Sequence, residues 1–213
     1  DWQVSPVQLP GREGRIAEPP FTTLSAAVEA LMPRVRPYRD TPLVLVGWSL
    51  GSKIAFELAR RLEHNDICQP LLVVAGVCPG PHQPLPDLSS FFGEDGMETR
   101  LRLLGGTPEN ILSSGEMLSA LQTTMEGDTA MAASYRSEAT IRAPMLALSA
   151  TRDDLVSQEA VESWRPRTAG GFTHRRLEGG HFMARDDAAA VANVVREAVA
   201  ARLNQDLRPV EVA

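Results

Sequence analysis

A concentration of positive charge is the first thing this 213-residue chain lacks. Its 27 acidic and 21 basic residues leave a net charge of −6, spread along the sequence without a basic block. Nucleic acid is therefore not an expected partner, because no electrostatic footprint for it exists. Cysteine is scarce too: Cys68 and Cys78 are the only two, in or beside an apolar run and far from any C-x-x-C or Cys/His cluster. They read as small buried hydrophobes of a reducing compartment, which predicts a cytoplasmic protein with no metal site. No apolar run approaches the roughly 20 residues that span a bilayer, so no membrane partner is expected. Internal repeats and low-complexity stretches are missing as well. The chain also opens without a methionine, on Asp1-Trp2-Gln3-Val4, and reads as starting inside a strand, so its true start is expected upstream.

What is present is an apolar run, Leu43-Val44-Leu45-Val46, followed at once by Gly47-Trp48-Ser49-Leu50-Gly51. This G-x-S-x-G sits between a strand pattern and a helix pattern, the setting of a nucleophile elbow. A serine on so sharp a turn needs neighbours without side chains, and Gly47 and Gly51 are expected to supply that room. Ile54, Leu58 and Leu62 then fall at i, i+4 and i+8, one apolar stripe of a helix.

The rest of the chain alternates strand and helix. A short first strand is predicted near Val4 to Leu9, then a helix through Leu24, Val28 and Leu31 that Pro33 and Pro37 end. Leu71-Leu72-Val73-Val74-Ala75 and Met145-Leu146-Ala147-Leu148 are continuous apolar runs, as parallel strands show when both faces are covered. Thr173 to Leu177 reads as a more exposed strand, and a last helix runs through Ala188, Val191, Val195 and Val199. With 43% hydrophobic residues, the chain fits one α/β domain built on a mostly parallel, doubly wound sheet.

Between about residues 80 and 142 the alternation stops, and the segment reads as an inserted helical lid. Thr107-Pro108 is a helix start, with Thr as N-cap and Pro at the first helical position. Leu101, Leu103, Leu104, Met117 and Met125 could line an acyl channel or simply pack the insertion onto the main domain.

A serine hydroxyl needs a histidine to take its proton and a carboxylate to hold that imidazole. Of the four histidines, His181 lies in Gly179-Gly180-His181-Phe182, just past a predicted strand, where such a base belongs. His64, His82 and His174 read as solvated surface groups. The acid should fall between serine and histidine in the chain. Asp153 and Asp154 both qualify, at the carboxyl end of the Met145 strand. Asp153 is preferred because Val156, three residues on, can pack beneath the loop, leaving Asp154 to cap the turn.

Val7-Gln8-Leu9-Pro10-Gly11-Arg12-Glu13, with Arg15 and Glu18-Pro19-Pro20 behind it, resembles the early segment of type II thioesterases that accompany polyketide and non-ribosomal peptide synthetases. Ala55 to Leu62 resembles the helix after their nucleophile, Leu103-Leu104-Gly105-Gly106-Thr107-Pro108 their lid, and Gly179-Gly180-His181-Phe182 their histidine loop. The resemblance runs from about Val7 to the last helix. It implies an α/β-hydrolase fold in which Ser49, Asp153 and His181 hydrolyse acyl thioesters on the phosphopantetheine arm of carrier proteins, with Leu50 N–H as one oxyanion donor. Acyl- or peptidyl-carrier domains are the implied partners of a monomeric enzyme. No cofactor is implied, since phosphopantetheine belongs to the substrate. Arg34, Arg36 and Arg39, or Arg60 and Arg61, are candidates for a basic docking patch.

The sequence departs from that family in two ways. Trp48 and Leu50 flank the serine where relatives usually carry His and Met. Relatives also have an earlier strand and a His-x-Gly-Gly type loop that supplies the second oxyanion donor, and nothing here corresponds. Losing one such donor costs about a hundred- to a thousandfold in rate, so residues beyond the given sequence are expected to complete the site. Three other readings share parts of this pattern: a chain-releasing thioesterase domain of a synthase, a small-molecule esterase, and a non-catalytic carrier-binding module.

Overall fold

The computed structural model describes residues 2–85, 97–104 and 107–206. Its strands are β1 (Val44–Trp48), β2 (Leu72–Gly76), β3 (Met145–Ala150) and β4 (Phe172–Leu177), all parallel and in the spatial order β1-β2-β3-β4. Every residue of β2 and β3 is buried, as strands covered on both faces must be. Leu72, Val74, Leu146 and Leu148 pack with Val195 and Val199 of α8 (Ala188–Asp206). Ala147 points the other way by strand alternation and packs on Val156 and on Val161 of α6 (Gln158–Glu162). Helices on both faces make the doubly wound sheet that the sequence predicts. Strand β4 is the more polar one, with Arg175 and Arg176 exposed.

Helix α2 (Leu50–His64) follows β1 and contacts both β1 and β2. Ile54, Leu58 and Leu62 are buried as their spacing predicts, yet Phe56 and Ala59 are buried as well. The stripe is wider because Phe56 also meets Trp164, with ring centroids 5.3 Å apart. Lys53, the only lysine in the sequence, lies fully buried on this helix and donates from Nζ to Gln83 O at 2.7 Å. Burial pulls its pKa down and pushes the Cys78 thiol up to about 12. Cys78 is thus the inert buried thiol that its apolar setting suggests; Cys68 is only half-buried. At the end of α2, the Glu63 carboxylate accepts from Arg142 N at 2.6 Å and Ala143 N at 2.7 Å, fixing the chain that enters β3.

The chain divides into two compact units: the described residues of 1–29 with 86–135, and those of 30–85 with 136–213. The sheet belongs to the second. In the first are α3 (Met97–Leu104), α4 (Glu109–Leu112) and α5 (Gly115–Ala133). Leu101 and Leu112 pack there against Leu118, Leu121 and Met125. Leu101 and Met125, candidates for an acyl lining, therefore help to build this unit's own core. Met117 stays exposed, while the side chains of Leu103 and Leu104, with Gly105 and Gly106, lie outside the described residues. Helix α4 starts one residue later than predicted, with Pro108 itself at the N-cap position.

The Pro10-Gly11-Arg12 turn grips α5 within the same unit. Thr124 Oγ1 donates to Gly11 O at 2.6 Å, and Arg12 pairs with Asp128 at 2.5 Å. Gly11 has φ +81, and a Cβ on Gly127 would come 2.8 Å from Pro20 Cβ, so both positions need a bare backbone. The strand predicted near Val4 to Leu9 does not form. A strand needs a neighbour to satisfy its N–H and C=O groups, and no described strand pairs with it. Helix α1 (Leu24–Val35) buries Leu24, Ala27, Val28 and Leu31, and it carries Pro33 in its last turn instead of ending there.

Candidate active site

The turn after β1 forces Ser49 to φ 51 and ψ −123, a left-handed backbone that a side-chain-bearing residue seldom adopts. Hydrogen bonds hold it there. Ser49 N donates to Gly76 O at 2.8 Å, extending the β1–β2 ladder by one rung, and Ser52 N donates to Ser49 O at 2.9 Å. Gly47 is required sterically, since a Cβ there would lie 2.2 Å from Gly51 O and 2.5 Å from Ser52 Cα. Gly51 is different: a Cβ there would meet nothing within 4 Å. Of the two glycines expected to supply room, Gly47 is thus the one whose absent side chain relieves a clash with backbone, whereas Gly51 borders open space.

The loop after β4 carries His181. Gly179 turns at φ +136, and a Cβ on it would meet Met183 Cβ at 2.8 Å. Arg152 N donates to Gly179 O at 2.8 Å, and Gly179 N donates to Thr151 Oγ1 at 3.2 Å, so the loops after β3 and β4 hold each other. From these two loops and the elbow, Ser49, Asp153 and His181 come together. His181 Nε2 lies 3.2 Å from Ser49 Oγ, and His181 Nδ1 lies 2.9 Å from Asp153 Oδ2.

Asp153 is almost fully buried at its side chain, 1% exposed, and His181 nearly so at 12%. Burial alone would raise the Asp153 carboxyl. The hydrogen bond and charge of His181, with N–H bonds from Leu155 and Val156 to Oδ1, outweigh burial and hold it below the ordinary carboxylate range. An ionised Asp153 fixes the proton of neutral His181 on Nδ1, leaving Nε2 free to accept from the Ser49 hydroxyl. Asp153 thus faces the imidazole and caps its own turn; Asp154, assigned that cap from sequence, is exposed. Leu50 is the first residue of α2, so its N–H has no acceptor within the helix.

Trp48 makes a contact that sequence reasoning missed. Its indole Nε1 donates to His181 O at 2.8 Å. The ring crosses Gly76 on β2, where a Cβ would lie 2.2 Å from Trp48 Cε3. The signal in the sequence was the glycine ending the β2 run, yet only the Trp48–Gly76 register gives it meaning.

The other histidines divide. His64 is exposed, as read from sequence, whereas His82 is half-buried and burial pulls its pKa down. His174 is not a solvated surface group: its Nε2 lies 2.8 Å from the fully buried Ser149 Oγ and its Nδ1 3.4 Å from Glu162 Oε1. Burial leads in lowering its pKa, Glu162 opposes, and Arg165, Arg175 and Arg176 add to the lowering. Arg60 and Arg61 are paired with Glu57. Arg36 and Arg39 line a shallow cavity with Asp66 and Ile67, before β1 begins and so at the amino edge of the sheet, opposite Ser49.

Comparison with known proteins gives a consistent picture. The profile of the thioesterase domain family matches residues 1–199. The chain is 32% identical over 190 residues to the gramicidin S biosynthesis protein GrsT of Aneurinibacillus migulanus, covering 84% of this chain and 72% of that protein. It is 31% identical over 204 residues to the AMB antimetabolite synthetase AmbE of Pseudomonas aeruginosa, covering 94% of this chain but 10% of that much longer one. Among solved structures it resembles the type II thioesterase BorB from the borrelidin biosynthetic cluster, at 29% identity and a TM-score of 0.78, covering 90% of this chain and 79% of that one.

Proposed function

This chain belongs to the thioesterase domain family, and on that premise we propose that it is a serine hydrolase of acyl thioesters carried on the phosphopantetheine arm of carrier proteins. Its task in this reading is to clear aberrant or stalled acyl groups in polyketide or non-ribosomal peptide biosynthesis. The observation that carries the proposal is the Ser49–His181–Asp153 array, with its 3.2 Å and 2.9 Å contacts, on an elbow of the right backbone form.

His181 Nε2 takes the proton as Ser49 Oγ attacks the thioester carbonyl. Charge develops on the carbonyl oxygen, which the Leu50 N–H at the start of α2 stabilises as one oxyanion donor. The tetrahedral intermediate collapses, the C–S bond breaks, and the proton held by His181 passes to the departing pantetheine sulfur. Water then gives a proton to His181 and attacks the acyl-serine ester; collapse returns the proton to Ser49 and frees the acid. Asp153 stabilises the imidazolium in both halves. Carrier domains are the partners, the enzyme works as a cytoplasmic monomer, and no metal or cofactor of its own enters the chemistry.

A second reading, a chain-releasing domain within a synthase, is favoured by the match to a short stretch of the long AmbE synthetase. Intact-mass spectrometry of acyl-loaded carrier protein incubated with the enzyme and with Ser49→Ala tests both. Loss of short acyl groups supplied in trans, dependent on Ser49, supports editing. Release only of a full-length chain tethered to its own carrier favours the second reading, and carriers left fully loaded would sink both.

A further inference from the structure

We propose that Trp48 is a positioning residue that sets the distance between the nucleophile and its base. The inference rests on the reading of Ser49 and His181 as a reacting pair. Trp48 is joined covalently to Ser49, and its Nε1 donates to the His181 carbonyl at 2.8 Å. The His181 ring returns from that same residue to Ser49 Oγ at 3.2 Å. The contacts close a ring: Ser49 backbone, Trp48, indole, His181 carbonyl, imidazole, Ser49 Oγ. Further hydrogen bonds on this loop, from Arg152 N, to Thr151 Oγ1 and between His181 and Asp153, tie it to the β3 side of the site. The indole ties it to the elbow.

The tie is stiff for a reason visible in the neighbouring strand. Trp48 and Gly76 are register partners across β1 and β2, and a Cβ at Gly76 would lie 2.2 Å from Cε3 and 2.4 Å from Cζ3 of the indole. The ring lies flush on a bare patch of backbone and packs with the core cluster that includes Val77 and Met183. A rigid bicyclic side chain with two rotatable bonds, seated this way, holds its N–H at a fixed height above the sheet. The Ser49–His181 contact sits at the long end of the range for proton transfer, so a small drift of the loop would break it. Misplacement of such a pair by about 1 Å is enough to cost on the order of a hundredfold in rate.

The test follows the nucleophile directly, by the second-order rate at which a fluorophosphonate labels Ser49, beside kcat and KM for an acyl-loaded carrier protein. Trp48→Phe keeps a ring over Gly76 and removes the N–H. It is expected to lower the labelling rate and kcat about tenfold or more, with KM unchanged within twofold. Trp164→Phe is the control, since Trp164 Nε1 makes a comparable bond to Cys78 O at 2.7 Å and that bond involves none of Ser49, Asp153 and His181. It should lower thermal stability while leaving the labelling rate of the folded protein as in the parent. If Trp48→Phe fails to fold, β-(3-benzothienyl)alanine at position 48 keeps both rings and replaces the N–H by sulfur, and the same tenfold loss is expected. Labelling at the parental rate in either Trp48 variant overturns the proposal, as does a loss that appears in KM alone. A parent enzyme that does not react with fluorophosphonate overturns it too. Trp48-dependent labelling without any carrier unloading would uphold the positioning role and sink the thioesterase reading, so the two fail separately.

Discussion

At the scale of single residues, the two glycines of the elbow are expected to behave oppositely. A methyl group at Gly47 meets backbone at 2.2 Å, whereas one at Gly51 meets open space. Gly47→Ala should cost more than the ~1–3 kcal/mol of ordinary overpacking and leave little folded protein. Gly51→Ala should raise stability by about 0.5–1 kcal/mol, because Gly51 lies in helix α2, where alanine is the better former. Thermal unfolding of the two variants checks both signs. Asp153→Asn separates charge from capping: the amide oxygen can still accept from Leu155 and Val156, but its NH₂ favours the wrong imidazole tautomer. A fall of about 10⁴-fold in kcat is expected with little change in unfolding temperature. That Ser49, Asp153 and His181 would come together was legible in the sequence because each carries a local flanking pattern and the three follow the expected chain order. The indole of Trp48 was not, since its partner is set by strand register and by a loop 133 residues away.

At the scale of elements, the Ser149–His174–Glu162 chain joins β3, β4 and α6 by 2.8 Å and 3.4 Å contacts. Burial first, then the arginines Arg165, Arg175 and Arg176, hold the His174 pKa below its unfolded value against the pull of Glu162. The native state therefore binds a proton at this site less readily than the unfolded chain. The contribution is full above the unfolded pKa of about 6.5 and is lost as pH falls from there toward the lower folded value. His82, whose pKa is also lowered by burial, acts in the same direction. A denaturant midpoint that drops between pH 8 and pH 5.5, and drops less in His174→Gln, is the expected result. An unchanged slope in that variant would assign the effect elsewhere. The elements themselves were read well where periodicity is strong, as in β2, β3 and α8. His174 was misread because alternation along β4 shows its polar neighbours but not the Ser149 hydroxyl on the next strand. The first strand failed for the same kind of reason, since a strand pattern does not contain its partner.

At the scale of the whole molecule, the charge of −6 carries a prediction about encounter. Carrier proteins are commonly acidic, so under the proposed function the long-range field opposes association. Raising salt from about 20 to 200 mM shortens the screening length and should raise kcat/KM, or leave it flat, for carrier-bound substrate. The rate on a small pantetheine thioester should not change; a steep fall with salt for the carrier substrate would reveal a local basic docking patch. The buried lysine on the elbow helix has a different consequence. Because Lys53 is the only one in the sequence and has no exposed surface, a lysine-specific protease finds no site on this chain while it is folded. Cleavage after Lys53 needs α2 to leave the sheet, so its rate at low protease concentration reports the fraction of opened molecules. One peptide bond in this sequence is thus a built-in clock for unfolding, readable by mass without any label or engineered residue.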